Sequence, residues 1–238
     1  MVKGIVIGKS KYLNLLAELG IGGAHPGGIQ LTKEIFKNER IHDTSHILDV
    51  GCGTGQTAAY LSQKYGANVT GIDMNPVMVE KAKKRMSKND LSVNLLQCAV
   101  EEIPFPNQYF DFIISESVLS FVDKPRALDE IFRLLKKGGR FIAIEQTMNW
   151  QLEKTEEDEI KQFYGLDSLL LEQDWLKLLQ QAGLEEIHIL QNSTIESEPD
   201  FHYSDTIDPS LYEVMKKHLY IISKYQEAFS YRVYLCTK

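Results

Sequence analysis

Ile47-Leu48-Asp49-Val50-Gly51-Cys52-Gly53-Thr54-Gly55 is the stretch that decides the fold of this chain. A short apolar run ends at three glycines alternating with small residues, and a helix-compatible segment, Gln56 to Tyr65, follows at once. Strand, glycine turn and helix in that order make a loop suited to a nucleotide-type cofactor. A glycine has no Cβ, so the backbone there can turn sharply and lie against a ligand. Asp49 sits inside the apolar run, and burying an unpaired carboxylate is expensive. A cationic or amino-bearing ligand beside the loop would give it a partner.

Outward from this stretch, strand-like and helix-like segments alternate. The strands are predicted at 46–50, 68–73, 93–98, 110–115, 140–145, 186–191 and 231–237. Helices are predicted between them at 56–65, 76–87, 125–137 and 172–182. Asn75-Pro76 and Asp123-Lys124-Pro125 read as helix starts, each a cap residue with proline in the first turn. Lys136-Lys137-Gly138-Gly139 reads as a helix end, with cations and a glycine cap. Such alternation predicts an α/β fold, a mostly parallel sheet with helices on both faces. Two amphipathic helices, at 11–19 and 29–39, are expected before it, joined by Gly20-Ile-Gly-Gly-Ala-His-Pro-Gly-Gly28. Residues 147–170 form an acidic insertion, the kind of run that ordinarily makes a solvated face. Residues 192–228 hold a proline-bearing loop and then a helix-like run from Leu211 to Tyr225.

The chain's 238 residues suffice for one such domain with a substantial core and appended helices. Its formal net charge of −7 supplies no global positive field for nucleic acid or an acidic membrane surface. Cys52, Cys98 and Cys236 lack metal-ligand spacing, and an odd count does not suit a disulfide framework. No apolar run approaches a membrane span, and residues 1–10 lack the apolar core of an export signal. The expectation is a cytoplasmic protein with no metal centre.

The glycine loop alone leaves two cofactor classes open. Gly53-Thr-Gly55-Gln-Thr-Ala58 also satisfies a dinucleotide pattern, with Asp73 twenty residues past Gly53, so a nicotinamide-dependent oxidoreductase fits these positions. Three further features narrow the choice. Asp73 ends the second strand, where a carboxylate could take both hydroxyls of a ribose. Ile103-Pro-Phe-Pro106 and Tyr109-Phe-Asp-Phe-Ile-Ile114 lead into the fourth strand. Ala127 to Leu135 and Lys136-Lys-Gly-Gly-Arg-Phe-Ile142 follow.

Together these features resemble the class I S-adenosylmethionine-dependent methyltransferases, in the small-molecule branch that includes the ubiquinone/menaquinone-type enzymes. The resemblance covers about residues 25–190. It implies a three-layer, Rossmann-like fold of seven strands in the order 3-2-1-4-5-7-6, the last antiparallel. One domain would then comprise an N-terminal helical cap (1–45), a cofactor-binding core (46–191), an insertion or lid (192–228) and the last strand (229–238). The implied cofactor is S-adenosyl-L-methionine, leaving as S-adenosyl-L-homocysteine, with a small-molecule acceptor methylated by in-line displacement. A non-catalytic protein that only binds this cofactor is the remaining alternative.

By the same resemblance, Asp49, Gly51, Cys52, Gly53, Gly55 and Gln56 would hold the methionine part. Asp73 would bind the ribose, and Met74 and Val100 would pack on adenine. This chain has Ala99 where members often carry an acid, so the adenine amino group falls to backbone, to Glu101 or to water. Ser115 and Glu116 match positions lining the donor and acceptor pocket. Glu116 could orient or deprotonate the acceptor, or simply bond to a helix start. His25, in the glycine-proline loop, is a candidate lid residue contacting cofactor or substrate, or a loop histidine that satisfies local backbone.

Other candidates have plainer readings. Tyr12 could close over a sulfonium by a cation–π contact, or simply pack between helices. His202 and Tyr203 could reach the acceptor, or face solvent on their loop. Cys52 has no neighbouring base and is no nucleophile; Cys98 and Cys236 read as core strand residues, and Trp150 and Trp175 as helix anchors. No Asn-Pro-Pro-Tyr or Asp-Pro-Pro-Tyr segment follows the fourth strand, which argues against the exocyclic-amine nucleic-acid enzymes that the motif marks. A monomer or homodimer is expected.

Overall fold

The computed structural model describes residues 10–23, 25–191 and 210–238. The strands are β1 (His46–Val50), β2 (Asn68–Asp73), β3 (Asn94–Gln97), β4 (Phe110–Glu116), β5 (Leu135–Met148), β6 (Glu185–Gln191) and β7 (Phe229–Thr237). They form one sheet in the order β3-β2-β1-β4-β5-β7-β6. β7 runs antiparallel to both β5 and β6, and the remaining pairs are parallel. The helices are α1 (Lys11–Leu19), α2 (Gly28–Phe36), α3 (Gln56–Tyr65), α4 (Pro76–Lys88), α5 (Lys124–Leu134), α6 (Lys154–Tyr164), α7 (Glu172–Gln181) and α8 (Ser210–Tyr225).

Successive side chains on a strand face opposite ways, and the central strands use this to fill two cores. Ile47, Phe112, Ile114, Ile142 and Ile144 pack with residues of α2 and α3 and with Met86 of α4. Leu48, Val50, Ile113, Phe141 and Ala143 pack with α5 and α7, where Trp175 is fully buried and donates its indole N–H to the Gln146 carbonyl. Strands apolar on both faces are what a covered parallel sheet requires.

A third cluster gathers at the end of β5, where Met148 and Phe229 meet Ile160 and Tyr164 of α6 and Ile221 and Tyr225 of α8. Tyr12 of α1 joins it, stacked on His218 and edge-on to Tyr164. Helices α1, α6 and α8 are thus packed against one another. The acidic insertion departs from a purely solvated face: Glu159 accepts hydrogen bonds from Lys217, Lys224 and Tyr225 of α8. Those donors hold its carboxyl down at about 2.

Three local expectations need correction. α5 ends at Leu134 rather than continuing to residue 137, because Leu135 adopts an extended conformation and pairs with Phe110. The ladder resumes at Arg140 opposite Phe112, so Lys136 to Gly139 form an irregularity within β5, with Gly138 and Gly139 bonded to Lys238, instead of capping a helix. Cys98 lies past the end of β3 and is half-exposed, whereas Cys236 is buried in β7 as expected. Trp150 anchors no packing; it is 48% exposed. His202 and Tyr203 lie outside the described residues.

Candidate active site

The C-terminal ends of β1, β2 and β4 converge on the glycine loop. Gly51 has φ +63°, and a Cβ there would lie 2.4 Å from Val118, so the loop is pressed against the segment after β4. Gly53 also has positive φ, +53°, but nothing lies within 4 Å of where its Cβ would be. One glycine therefore serves packing, and the other faces open space at the turn. Cys52 donates its amide to the Ile72 carbonyl (2.8 Å), and burial pushes its thiol well above the usual range. Gly55 caps the start of α3, against Ala82 and Met86 of α4.

Asp73 stitches this turn to β2. Its Oδ2 accepts the Gly53 amide at 2.9 Å and its Oδ1 accepts the Asn75 amide at 2.8 Å. Burial raises its carboxyl, and the two amides pull it back. Met74 follows it, half-buried, its carbonyl accepting from Gln97. Val100 is buried with Ile72 and Ile103. Glu101 accepts the Asp123 amide at 3.2 Å and so helps fix the start of α5.

Asp49 is 2% exposed. It accepts the Ala58 amide from the first turn of α3, and its Oδ2 is buried with no hydrogen-bond partner. Burial first, then the nearby Glu116 and Asp73, push its carboxyl well above the usual range. This is the buried acid beside the glycine motif, and it remains without a cation among the described residues.

Glu116, at the end of β4, accepts from Thr32 of α2 at 2.5 Å and from Thr57 of α3 at 2.6 Å. His25 approaches the same carboxylate, its Nε2 lying 3.4 Å from Oε2, and is 6% exposed. Its Nδ1 lies 3.2 Å from the Pro26 carbonyl, which can only accept, so Nδ1 carries a proton. Nε2 is buried and makes no hydrogen bond. The N-terminal loop closes on the glycine turn as well. Cβ atoms at Gly22 and Gly23 would lie 2.6 Å from the side chains of Thr54 and Gln56.

The structure therefore brings Asp49, Gly51, Cys52, Gly53, Gly55, Gln56, Asp73, His25 and Glu116 into one region. Ser115 is fully buried behind the segment after β4, donating to Glu145 at 3.4 Å. Tyr12 belongs to the aromatic cluster with Tyr164 and His218, where burial raises its phenol to about 12. Sequence reasoning missed Thr32, Thr57 and Glu145. The two threonines gave no signal, but Glu145 gave one: it is an acid inside the apolar run Phe141-Ile-Ala-Ile-Glu145, as Asp49 is in its own.

Residues 48–143 match the methyltransferase domain family. The uncharacterized methyltransferase YodH of Bacillus subtilis (strain 168) is 37% identical over 233 residues, covering 96% of this chain and all of that protein. This chain belongs to the methyltransferase family. The ubiquinone/menaquinone biosynthesis C-methyltransferase UbiE of Proteus mirabilis is 34% identical over 57% of this chain and 55% of its own length. Among solved structures, the Haemonchus contortus phosphoethanolamine N-methyltransferase 2, in complex with phosphomonomethylethanolamine and S-adenosylhomocysteine, superposes with a TM-score of 0.76. It is 18% identical, and the match covers 96% of this chain and 57% of that one, a likeness of fold. Methyl transfer, not the hydride transfer that the glycine spacing also permits, is the chemistry of this family.

The open turn yields a prediction. Gly53→Ala places a methyl group where no atom lies within 4 Å, so folding should lose only the left-handed strain, about 1 kcal/mol. If a ligand's backbone contacts depend on that space, affinity for S-adenosylhomocysteine should fall about tenfold or more in titration calorimetry. Equal affinity for the two proteins would remove Gly53 from the ligand site.

Proposed function

We propose that this chain transfers the methyl group of S-adenosylmethionine to a small-molecule acceptor by in-line displacement. The observation that carries the reading is the buried, unpartnered Oδ2 of Asp49 beside the open turn at Gly53. A donor that presents an ammonium to Asp49, a ribose to Asp73 and an apolar base to Met74 and Val100 complements those groups one by one. When bound, the cofactor supplies a methyl group on a positively charged sulfur, an electrophile that needs no metal to activate it.

The chain's own residues orient and enclose. Gly51, Gly53 and Gly55 shape the turn, with Cys52 and Gln56 between and behind them. Asp49 neutralises the amino group and Asp73 holds the sugar. His25 Nε2, buried without a hydrogen-bond partner, lies 3.4 Å from Glu116 Oε2 on the acceptor side, and either group can take the proton that the acceptor gives up. His25 is 6% exposed there, held by the loop that packs on Thr54 and Gln56. Orientation of this kind supplies on the order of 7–11 kcal/mol in well-aligned reactions, with water exclusion adding to it. Relatives are named for C-, N- and O-methylation, so acceptor choice resides outside the shared core.

Titration calorimetry tests the reading. Binding of S-adenosylhomocysteine with a Kd of about 1 µM or below, and no heat from NADH, is expected. The reverse pattern would overturn it.

A further inference from the structure

The polar group on which the methyl-transfer reading makes no demand is Glu145 of β5. It is 0% exposed, and its donors come from the end of β4 and the segment after it, residues 115–120. Oε1 accepts the Val118 amide at 3.1 Å, the Leu119 amide at 3.0 Å and the Ser115 hydroxyl at 3.4 Å. Oε2 accepts the Ser120 hydroxyl at 3.1 Å. Two further restraints act on the same stretch. Ser117 takes a left-handed conformation (φ +60°) with its amide given to the Ile144 carbonyl at 2.7 Å, and Val118 lies against Gly51.

We infer that Glu145 is a positioning residue: its carboxylate clamps residues 115–120 from within, and so sets Glu116 and Val118 against the glycine turn. This rests on the reading of that segment as a wall of the methyl-transfer pocket. The chemistry favours a carboxylate over its neutral isostere. A carboxylate offers two acceptor-only oxygens to these converging donors, the Ser120 amide among them, whereas glutamine would turn an NH2 toward some of them. Backbone segments with non-glycine left-handed residues persist only when their surroundings over-determine them, and Glu145 supplies that over-determination. One edge of the clamped segment carries Glu116, bonded to Thr32 and Thr57 and close to His25; a loosened segment would therefore disturb the acceptor side and the glycine turn together.

Burial lifts the carboxyl to about 7, with the amides and the Ser120 hydroxyl opposing. Lys124 of α5 and Tyr234 of β7 feel its charge. Arg232, opposite Glu145 on β7, is committed to Glu172. No cation pairs with Glu145 among the described residues, so the donors of the segment are what hold its charge.

The test uses full-length ¹⁵N-labelled protein, wild type and Glu145→Gln. In the variant, the Val118 and Leu119 amides should exchange with solvent about tenfold faster, or more, relative to Ile131 of α5. Affinity for S-adenosylhomocysteine should fall about fivefold or more. Ser120→Ala, which removes one donor and leaves the carboxylate, should give a smaller change in the same amides. Exchange that accelerates equally in α5, or an unchanged affinity in the glutamine variant, would overturn the inference. Failure of wild-type protein to bind S-adenosylhomocysteine would instead defeat the cofactor reading, with the clamp still decided by exchange.

Discussion

Asp49→Asn should make the ligand-free protein more stable, by about 1–2 kcal/mol, and weaken its affinity for S-adenosylhomocysteine at least about tenfold. The two effects share one cause. Asp49 is buried at 2% exposure, satisfies Ala58 with one oxygen and leaves the other unpartnered. Its neighbours Glu116 and Asp73 are acids, so a charge here is opposed by burial and by repulsion alike. Asparagine keeps the shape and the acceptor for Ala58 while removing that charge. The sign of the pH dependence follows. A carboxyl raised in the folded state contributes its full stability below the unfolded value, about 4, and loses it as pH climbs through the folded value. Thermal midpoints of wild type should therefore fall with rising pH relative to those of Asp49→Asn. An ammonium brought against Asp49 favours its ionised form, so wild-type affinity should rise over the same interval while the variant's stays level. A variant that melts lower and binds as before would show that Asp49 serves the fold alone.

The sheet was legible because its signals are local. Ile47 to Val50 and Val69 to Asp73 are apolar runs with a glycine turn or a proline cap directly behind them, and the strands fall there. The boundary between α5 and β5 was misread for a long-range reason. Lys136-Lys-Gly-Gly carries a helix-end pattern, yet pairing of Leu135 with Phe110 and of Arg140 with Phe112 claims the backbone on either side. The candidate site divides along the same line. Asp49 and Asp73 stand out as acids at the ends of apolar strands. The environment of Glu116 does not, since Thr32, Thr57 and His25 come from α2, α3 and a glycine loop that only tertiary packing brings to β4. Glu145 carried the same mark as Asp49 but had no glycine motif beside it to draw attention.

Asp73→Ala should reduce affinity for S-adenosylhomocysteine by about a hundredfold, leaving a folded protein by circular dichroism. Hydrogen bonds to a charged group contribute about 1.5–3 kcal/mol each, and two ribose hydroxyls would be lost together. The structure adds a second loss, because the same carboxylate holds the Gly53 and Asn75 amides at 2.9 and 2.8 Å. Without it the turn is free to move away from the ligand. Asp73→Asn retains one acceptor oxygen and should fall between wild type and alanine. Methylthioadenosine separates this role from that of Asp49, since it carries the adenine and ribose but neither the ammonium nor the carboxylate of the amino-acid arm. Its affinity should drop in Asp73→Ala about as steeply as that of S-adenosylhomocysteine, and should be nearly unchanged in Asp49→Asn. If both substitutions weaken methylthioadenosine equally, the two acids do not read opposite ends of one ligand, and their division of labour is wrong.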